Sequence, residues 1–124
     1  LAHRADHLIY GASMNQAWQD AIKQSEEALK GHETEIKDWF ELGVEYAYDA
    51  FLSDIISALS MDKIDVPYFH GIDYWMYPLN REREVFANLA AIDVLDGVES
   101  LSNLKELSGI VEVYKKIIHS GGII

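Results

Sequence analysis

Two histidines near the start of the chain have a spacing that could support metal chemistry. His3 and His7 lie four residues apart in residues 1–10, whose apolar residues predict a helix. Side chains four residues apart share one helical face, about one turn from each other. This spacing lets a helix give two imidazoles to one zinc ion. The alternative interpretation is a pair of exposed or packed histidines. His32 and His119 are interpreted as surface residues without an assigned role.

A second candidate for chemistry is the stretch 70–95. It begins with an aromatic, turn-rich loop and continues into a predicted helix over residues 80–96. Asn80 is the expected N-cap, because its side-chain oxygen can accept a hydrogen bond from a free backbone N–H. Glu82 and Glu84 are expected in the first turn, where the helix dipole favours negative charge. The stretch could build a site, but these features are also typical of an ordinary capped core helix.

Apolar residues at helical spacing predict the elements that position these candidates. The predicted helices cover residues 1–10, 13–29, 34–60, 80–96, about 101–107, and from 110 onward. The second has a possible capping box at Ser13 and Gln16, and the third is expected to break near 49–53. Gly109 is expected to end the short helix around 101–107. Ile64, Val66 and Tyr68 alternate, which suggests a short strand or extended arm. We therefore expect one mainly α-helical domain over residues 1–124, with five to seven helices and at most a small β element.

The predicted core is rich in aromatic residues. The chain has 124 residues, of which 49% are apolar, so a single domain with a substantial core is expected. The helix over residues 80–96 should be central to that domain, with Phe86 and Leu89 largely buried. Trp18, Trp39 and Phe40 should pack in the same core.

The charge of the chain excludes some partners. Its formal net charge is −11, from 21 acidic and 10 basic residues. Such a surface repels phosphate backbones and anionic membranes, so we expect neither nucleic acid nor a membrane as partner. It suits divalent cations or basic partners. The absence of cysteine excludes disulfides, thiolate zinc sites and a cysteine nucleophile.

The sequence also bears on membrane insertion, on export and on the extent of the protein. No apolar run approaches the ~20 residues that a transmembrane helix needs. The first residues read as an amphipathic helix with internal charges rather than as a signal peptide. The chain begins without methionine and directly inside a motif, so we expect the C-terminal fragment of a longer protein.

Four segments, in this order, resemble a known family: His3-Arg-Ala-Asp-His7, Leu52-Ser-Asp-Ile-Ile-Ser-Ala-Leu59, His70-Gly-Ile-Asp-Tyr-Trp75 and Glu84-Val-Phe-Ala-Asn88. They are similar to the C-terminal, zinc-metallopeptidase-like module of Mu F-like phage minor head proteins. That module has a His-Glu-x-x-His helix, a Ser-Asp-Ile-Ile-like helix, a His-x(3)-Tyr-Trp loop and a Glu-x-Phe-Ala-Asn helix. The closing segment Val113-Tyr-Lys-Lys-Ile-Ile118 resembles its last helix. The resemblance covers most of residues 52–119 and the first ten residues.

The resemblance implies a set of site residues. His3, His7 and Glu84 would be the metal ligands, and this set leaves a fourth position for water, as catalytic zinc sites require. Asp6 could orient a ligand histidine through a hydrogen bond. His70 or Tyr74 could stabilise an oxyanion.

Arg4 is the main departure from the family pattern. A zinc peptidase of this kind needs a glutamate beside the first histidine, which moves a proton from zinc-bound water to the leaving amine. Arginine stays protonated and cannot act as a general base. Its positive charge also opposes a cation. We therefore expect no bound cofactor or only weakly bound zinc.

Two classes of function follow from the resemblance. The first is a structural or interaction domain of a phage head-morphogenesis (minor capsid) protein, metallopeptidase-like but catalytically degenerate. Its partners would be portal or capsid subunits or the rest of its own chain, in the bacterial cytoplasm during assembly and then in the virion. The alternative is an active zinc-dependent peptidase or a toxin-like effector of a prophage. A third interpretation is an unrelated helical binding module.

Overall fold

Helices contain most of the residues that the computed structural model describes, which are 11–36, 49–64, 66, 71–95, 98–101 and 104–119. The named elements are α1 (Gln16–Leu29), α2 (Asp49–Ser60), α3 (Ile72–Met76), α4 (Asn80–Leu95), the 3-10 helices η1 (Val98–Leu101) and η2 (Lys105–Leu107), and α5 (Ser108–His119). No strand occurs in this described part of the chain. The predicted mainly α-helical class is confirmed.

The helix α4 lies at the centre of the core. It packs most extensively against α2, while α1 packs against α5. Phe86 is fully buried, with its ring 5.3 Å from that of Trp18 and 5.1 Å from that of Tyr114 (centroid distances). The Trp18 indole also donates a 2.9 Å hydrogen bond to the carbonyl of Glu82. One aromatic cluster thus joins α1, α4 and α5.

The predicted burial of the core residues is confirmed where the structure describes them. Phe86, Leu89 and Trp18 are each 0% exposed. Trp39 and Phe40 lie outside the described residues. Because apolar burial contributes roughly 25 cal/mol per Å², these large side chains are the main source of the stability of the bundle.

The N-cap predictions were wrong at two helices. The first helix begins at Gln16, and Asn15 rather than Ser13 caps it, because the Asn15 side-chain oxygen accepts a 3.0 Å hydrogen bond from the backbone N–H of Trp18. Asn80 is already helical. Its side-chain amide donates a 3.0 Å hydrogen bond to the carbonyl of Tyr74 instead of accepting one from its own helix.

Helix α2 is followed by two residues in the left-handed region, Met61 (φ 53°) and Asp62 (φ 61°). The backbone N–H of Asp62 donates a 2.9 Å hydrogen bond to the carbonyl of Ser57, which closes the turn. Ile64 and Val66 are buried but belong to no strand. Tyr68, the third residue of the predicted extended segment, lies outside the described residues. The alternating pattern at 64 and 66 thus reflects burial of an irregular segment.

Helical structure also occurs where the sequence suggested a loop. Residues Ile72–Met76 form α3, which follows Gly71, a residue with φ 100° that a side chain would disfavour. Gly109 lies inside α5 and does not interrupt a helix, and the short helix expected around 101–107 is split into η1 and η2. Among the described residues, no helix has the length and apolar character that crossing a bilayer requires.

Candidate functional site

Tyr74 and Glu84, both proposed as site residues from the sequence, are in direct contact. The phenol of Tyr74 donates a 2.7 Å hydrogen bond to Oε1 of Glu84. Tyr74 is on α3 and Glu84 on α4, and both are partly buried. The Asn80 hydrogen bond to the Tyr74 carbonyl fixes the end of α3 against the start of α4. This second bond holds the phenol within reach of the carboxylate.

A second polar pair lies beside the first. Asn88 is 8% exposed, and its side-chain amide donates hydrogen bonds of 2.7 Å to Oδ2 of Asp54 and of 2.7 Å to the carbonyl of Glu84. Asp54 belongs to α2, and its charge acts on the Tyr74 phenol. We call Asp54, Tyr74, Glu84 and Asn88 the polar cluster. It lies where α2, α3 and α4 meet.

A buried hydrogen bond anchors α3 beneath the cluster. The indole of Trp75 donates a 3.0 Å hydrogen bond to Oγ of Ser57, and both side chains are almost fully buried. The Ser57 hydroxyl in turn donates to Asp62. Because a buried donor without a partner costs roughly 1–3 kcal/mol, this network strongly favours one position of α3 on α2.

The surroundings of Tyr74 change its acidity. The hydrogen bond to Glu84 raises the pKa of the Tyr74 phenol to about 12, with smaller contributions from burial and from the negative charges of Glu84 and Asp54. Ionising the phenol would place a third negative charge in the cluster. At neutral pH, Tyr74 is therefore a hydrogen-bond donor and does not act as a base.

The polar cluster can position a carboxylate and donate a hydrogen bond. Carboxylates that bind metals are commonly held by a hydrogen bond of this type. The ligand role that the resemblance implies for Glu84 stays a prediction. Its position is in the second turn of α4, not the first turn expected from the sequence, where only Glu82 lies. Among the described residues, Glu84 belongs to no group of three potential ligands.

Several predicted site residues cannot be compared with the structure. His3, Asp6, His7 and His70 lie outside the described residues. Their roles as metal ligands, orienting group and oxyanion donor stay predictions. Of the six candidates, the structure describes Tyr74 and Glu84 and brings them together.

Two members of the cluster were not identified as site residues from the sequence. Asn88 follows Glu84 by four residues, so a shared helical face was a usable signal. Asp54 lies in the Ser-Asp-Ile-Ile segment, but nothing in its spacing indicates that it meets Asn88, 34 residues later. Only the tertiary contact of α2 with α4 reveals that pair.

Comparisons with known proteins add no identification. No family model matches the chain, and no curated protein and no solved structure matches it either.

Proposed function

We propose that this chain is the metallopeptidase-like domain of a phage head-morphogenesis protein, that it lacks peptidase activity, and that it acts as a structural or interaction domain. The partners proposed are portal or capsid subunits, or the rest of its own chain, during head assembly in the bacterial cytoplasm and then in the virion. The net charge of −11 suits a basic surface on such a partner.

The observation that carries the proposal is the convergence of three segments that resemble the family. Asp54 comes from the segment 52–59, Tyr74 from 70–75, and Glu84 and Asn88 from 84–88. Hydrogen bonds join Tyr74 to Glu84 and Asp54 to Asn88. Polar side chains of three segments that resemble the family thus lie in one cluster, and this contact is what supports the proposal.

The chemistry of the cluster supports the inactive interpretation. Zinc, when bound, would supply Lewis acidity and an activated water. A peptidase also needs a group that takes up and delivers a proton near neutral pH. Tyr74, whose pKa is raised to about 12, does not take up a proton there. Arg4 occupies the position of the family's general base and cannot replace it.

The activity test uses the purified chain and an unfolded protein as substrate, with and without added zinc. We expect no cleavage and less than stoichiometric zinc at His3 and His7 after dialysis. Arg4→Glu should increase metal binding at this site before any turnover is detected. Lys23→Glu, at an exposed position of α1, makes the same change in net charge and should increase neither.

One result would replace the proposal with its alternative, an active zinc-dependent peptidase or toxin-like effector. That result is cleavage by the unmodified chain that a chelator stops and that His3→Ala abolishes. The interaction role needs a separate test, in which the chain is mixed with the portal and capsid proteins encoded in the same phage genome. Co-elution with one of them on size exclusion supports the role, whereas independent elution from all of them contradicts portal or capsid subunits as the partner.

A further inference from the structure

A second group of potential metal ligands lies where residues 32–35, which follow α1, approach η2. Nδ1 of His32 is 3.3 Å from Oε2 of Glu35 and 3.6 Å from Oε1 of Glu106. The three potential ligand atoms all lie within 4.8 Å of one another. This group belongs neither to the polar cluster nor to the segments that resemble the phage family. We propose that His32, Glu35 and Glu106 bind a divalent transition-metal ion, with Zn²⁺ as the representative ion.

The distances fit a metal-binding arrangement. Zinc binds imidazole nitrogen and carboxylate oxygen at about 2.0–2.2 Å in tetrahedral geometry, so neighbouring ligand atoms are about 3.4 Å apart. The His32–Glu35 and His32–Glu106 separations of 3.3 and 3.6 Å already agree with this edge. The two carboxylate oxygens lie within 4.8 Å of each other, a separation that rotation about side-chain bonds can shorten.

The backbone around the ligands is fixed before any metal binds. The N–H of His32 donates a 3.1 Å hydrogen bond to the carbonyl of Leu29, and the carbonyl of His32 accepts a 3.0 Å bond from the N–H of Ile36. Glu106 precedes Leu107, which is 1% exposed and anchors η2 in the core. The ligands thus come from two anchored segments, so the entropic cost of binding falls on the side chains, of which that of Glu35 is 75% exposed.

Two acidic side chains of α1 are paired with cationic side chains, whereas in the described part of the chain the two carboxylates of this group are not. Glu27 pairs with Lys30 at 2.8 Å, and Glu26 pairs with Arg81 at 2.7 Å. Within the described residues, neither Glu35 nor Glu106 has an ion pair with lysine or arginine. Glu106 is also the least exposed of the three, with 18% of its side chain accessible. The ion-pair partner of the two carboxylates is the His32 imidazole, which carries a charge only when protonated, so a bound cation would balance the two negative charges.

The ligand types indicate the class of metal. Imidazole suits zinc and other transition metals, whereas magnesium and calcium prefer oxygen ligands alone. One nitrogen and two oxygens from the chain leave a fourth position for water. Because His32 and Glu106 are far apart in sequence, a metal bound to both would link the end of α1 to η2. The expected effect is stabilisation of the fold by the metal.

The test is a zinc titration by calorimetry. It uses a His3→Ala, Glu84→Gln background, so that the site implied by the resemblance makes no contribution. We expect one equivalent of Zn²⁺ to bind and Mg²⁺ to bind more weakly. Because loss of a hydrogen bond to a ligand already lowers affinity by about 10–100-fold, His32→Ala or Glu106→Gln should lower it at least tenfold. His119→Ala and Glu112→Gln are the matched controls on α5 and should leave it unchanged.

A second readout locates the bound ion. The imidazole resonances of His32 should shift on addition of zinc, whereas those of His119 should not. Zinc affinity that is the same in the background chain, in His32→Ala and in Glu106→Gln would overturn the proposal, as would the absence of zinc binding. Circular dichroism of each variant verifies folding, which Glu106→Gln should preserve because it keeps the shape of the side chain. Zinc at either site counts in an analysis of the whole chain, so zinc retention at His3 and His7 is measured in a His32→Ala chain. With that precaution, either proposal can fail without the other.

Discussion

The phenol of Tyr74 and the carboxylate of Glu84 form a 2.7 Å hydrogen bond across the turn that joins α3 to α4. The bond connects a helix of five residues to the central helix of the core. Since a helix this short has little stability of its own, its position depends on such contacts. The Tyr74–Glu84 bond is therefore both the centre of the polar cluster and a restraint on α3.

Removing the Tyr74 hydroxyl should have a modest cost at neutral pH and a distinctive effect at high pH. Tyr74→Phe should lower the free energy of unfolding by about 1 kcal/mol, because it removes a partly exposed hydrogen bond to a charged group. The pKa of Tyr74 rises from 10.0 to about 12 on folding. The bond therefore contributes its full stability below pH 10, and this contribution is lost as the pH rises from about 10 to about 12.

Tyrosinate absorbance and urea denaturation as functions of pH check this prediction. The wild-type protein should lose stability between about pH 10 and pH 12, and Tyr74→Phe should lose less. In the absorbance titration, Tyr74→Phe should lack one phenol that ionises at high pH. Tyr77→Phe is the control, because Tyr77 is 68% exposed, and this variant should lose as much stability as the wild-type protein. Equal pH profiles for Tyr74→Phe and wild type would show that the bond does not contribute to stability.

Asn88→Asp tests the second pair of the cluster. The new carboxylate would face that of Asp54, which now accepts the Asn88 amide at 2.7 Å. We expect a loss of about 1–3 kcal/mol at neutral pH from the missing donor and the like charges. Protonation of either carboxylate relieves the repulsion, so the difference from wild type should narrow as the pH falls toward about 4.

Chemical denaturation at several pH values measures this difference. Asn88→Ala is the comparison, because it removes the amide without adding a charge. The loss of stability in Asn88→Ala, relative to wild type, should depend less on pH than the loss in Asn88→Asp. If the two variants depended equally on pH, repulsion from Asp54 would not be the cause.

Phe86→Ala should destabilise the fold more than any variant of the polar cluster. Phe86 is fully buried between Trp18 and Tyr114, and truncation of a buried phenylalanine typically costs ~3–5 kcal/mol. Val94→Ala, in the same helix at a residue that is 87% exposed, should change stability by no more than about 0.5 kcal/mol. Thermal unfolding of both variants gives the comparison, and similar melting temperatures would contradict the central position of α4.

The sequence predicted the structure best where apolar residues at helical spacing alone determine which side chains are buried. The apolar residues of α4 predicted its burial, and Asn80 and Glu82, which are typical of a helix start, predicted where it begins. Asn80 shows where this reasoning failed. Its type suits an N-cap, but its amide forms a bond to the carbonyl of Tyr74, because α3 packs at that end of the helix. The contact with α3 thus outweighs the local preference of asparagine for the N-cap position.

The candidate sites show the same limit. Asn88 shares a face with Glu84, which the sequence makes visible, but its bond to Asp54 depends on how α2 packs on α4. The group His32, Glu35 and Glu106 was missed for the same reason. His32 and Glu35 have helical spacing, whereas Glu106 reaches them only through the packing of η2. Spacing along the chain identifies neighbours within one helix and cannot identify those from another.

The turn between α3 and α4 has a consequence for how the molecule opens. Leu79 lies in this turn with φ 68°, a conformation that costs an ordinary side chain roughly 1–2 kcal/mol. Since the turn is locally unfavourable, the packing of α3 must impose it, and release of α3 relieves it. Amide protons of Tyr74 to Tyr77 should therefore exchange with solvent faster than those of Phe86 to Ile92, and Leu79→Gly should slow their exchange. Hydrogen exchange would thus detect a local opening that exposes the Glu84 carboxylate while the core stays folded.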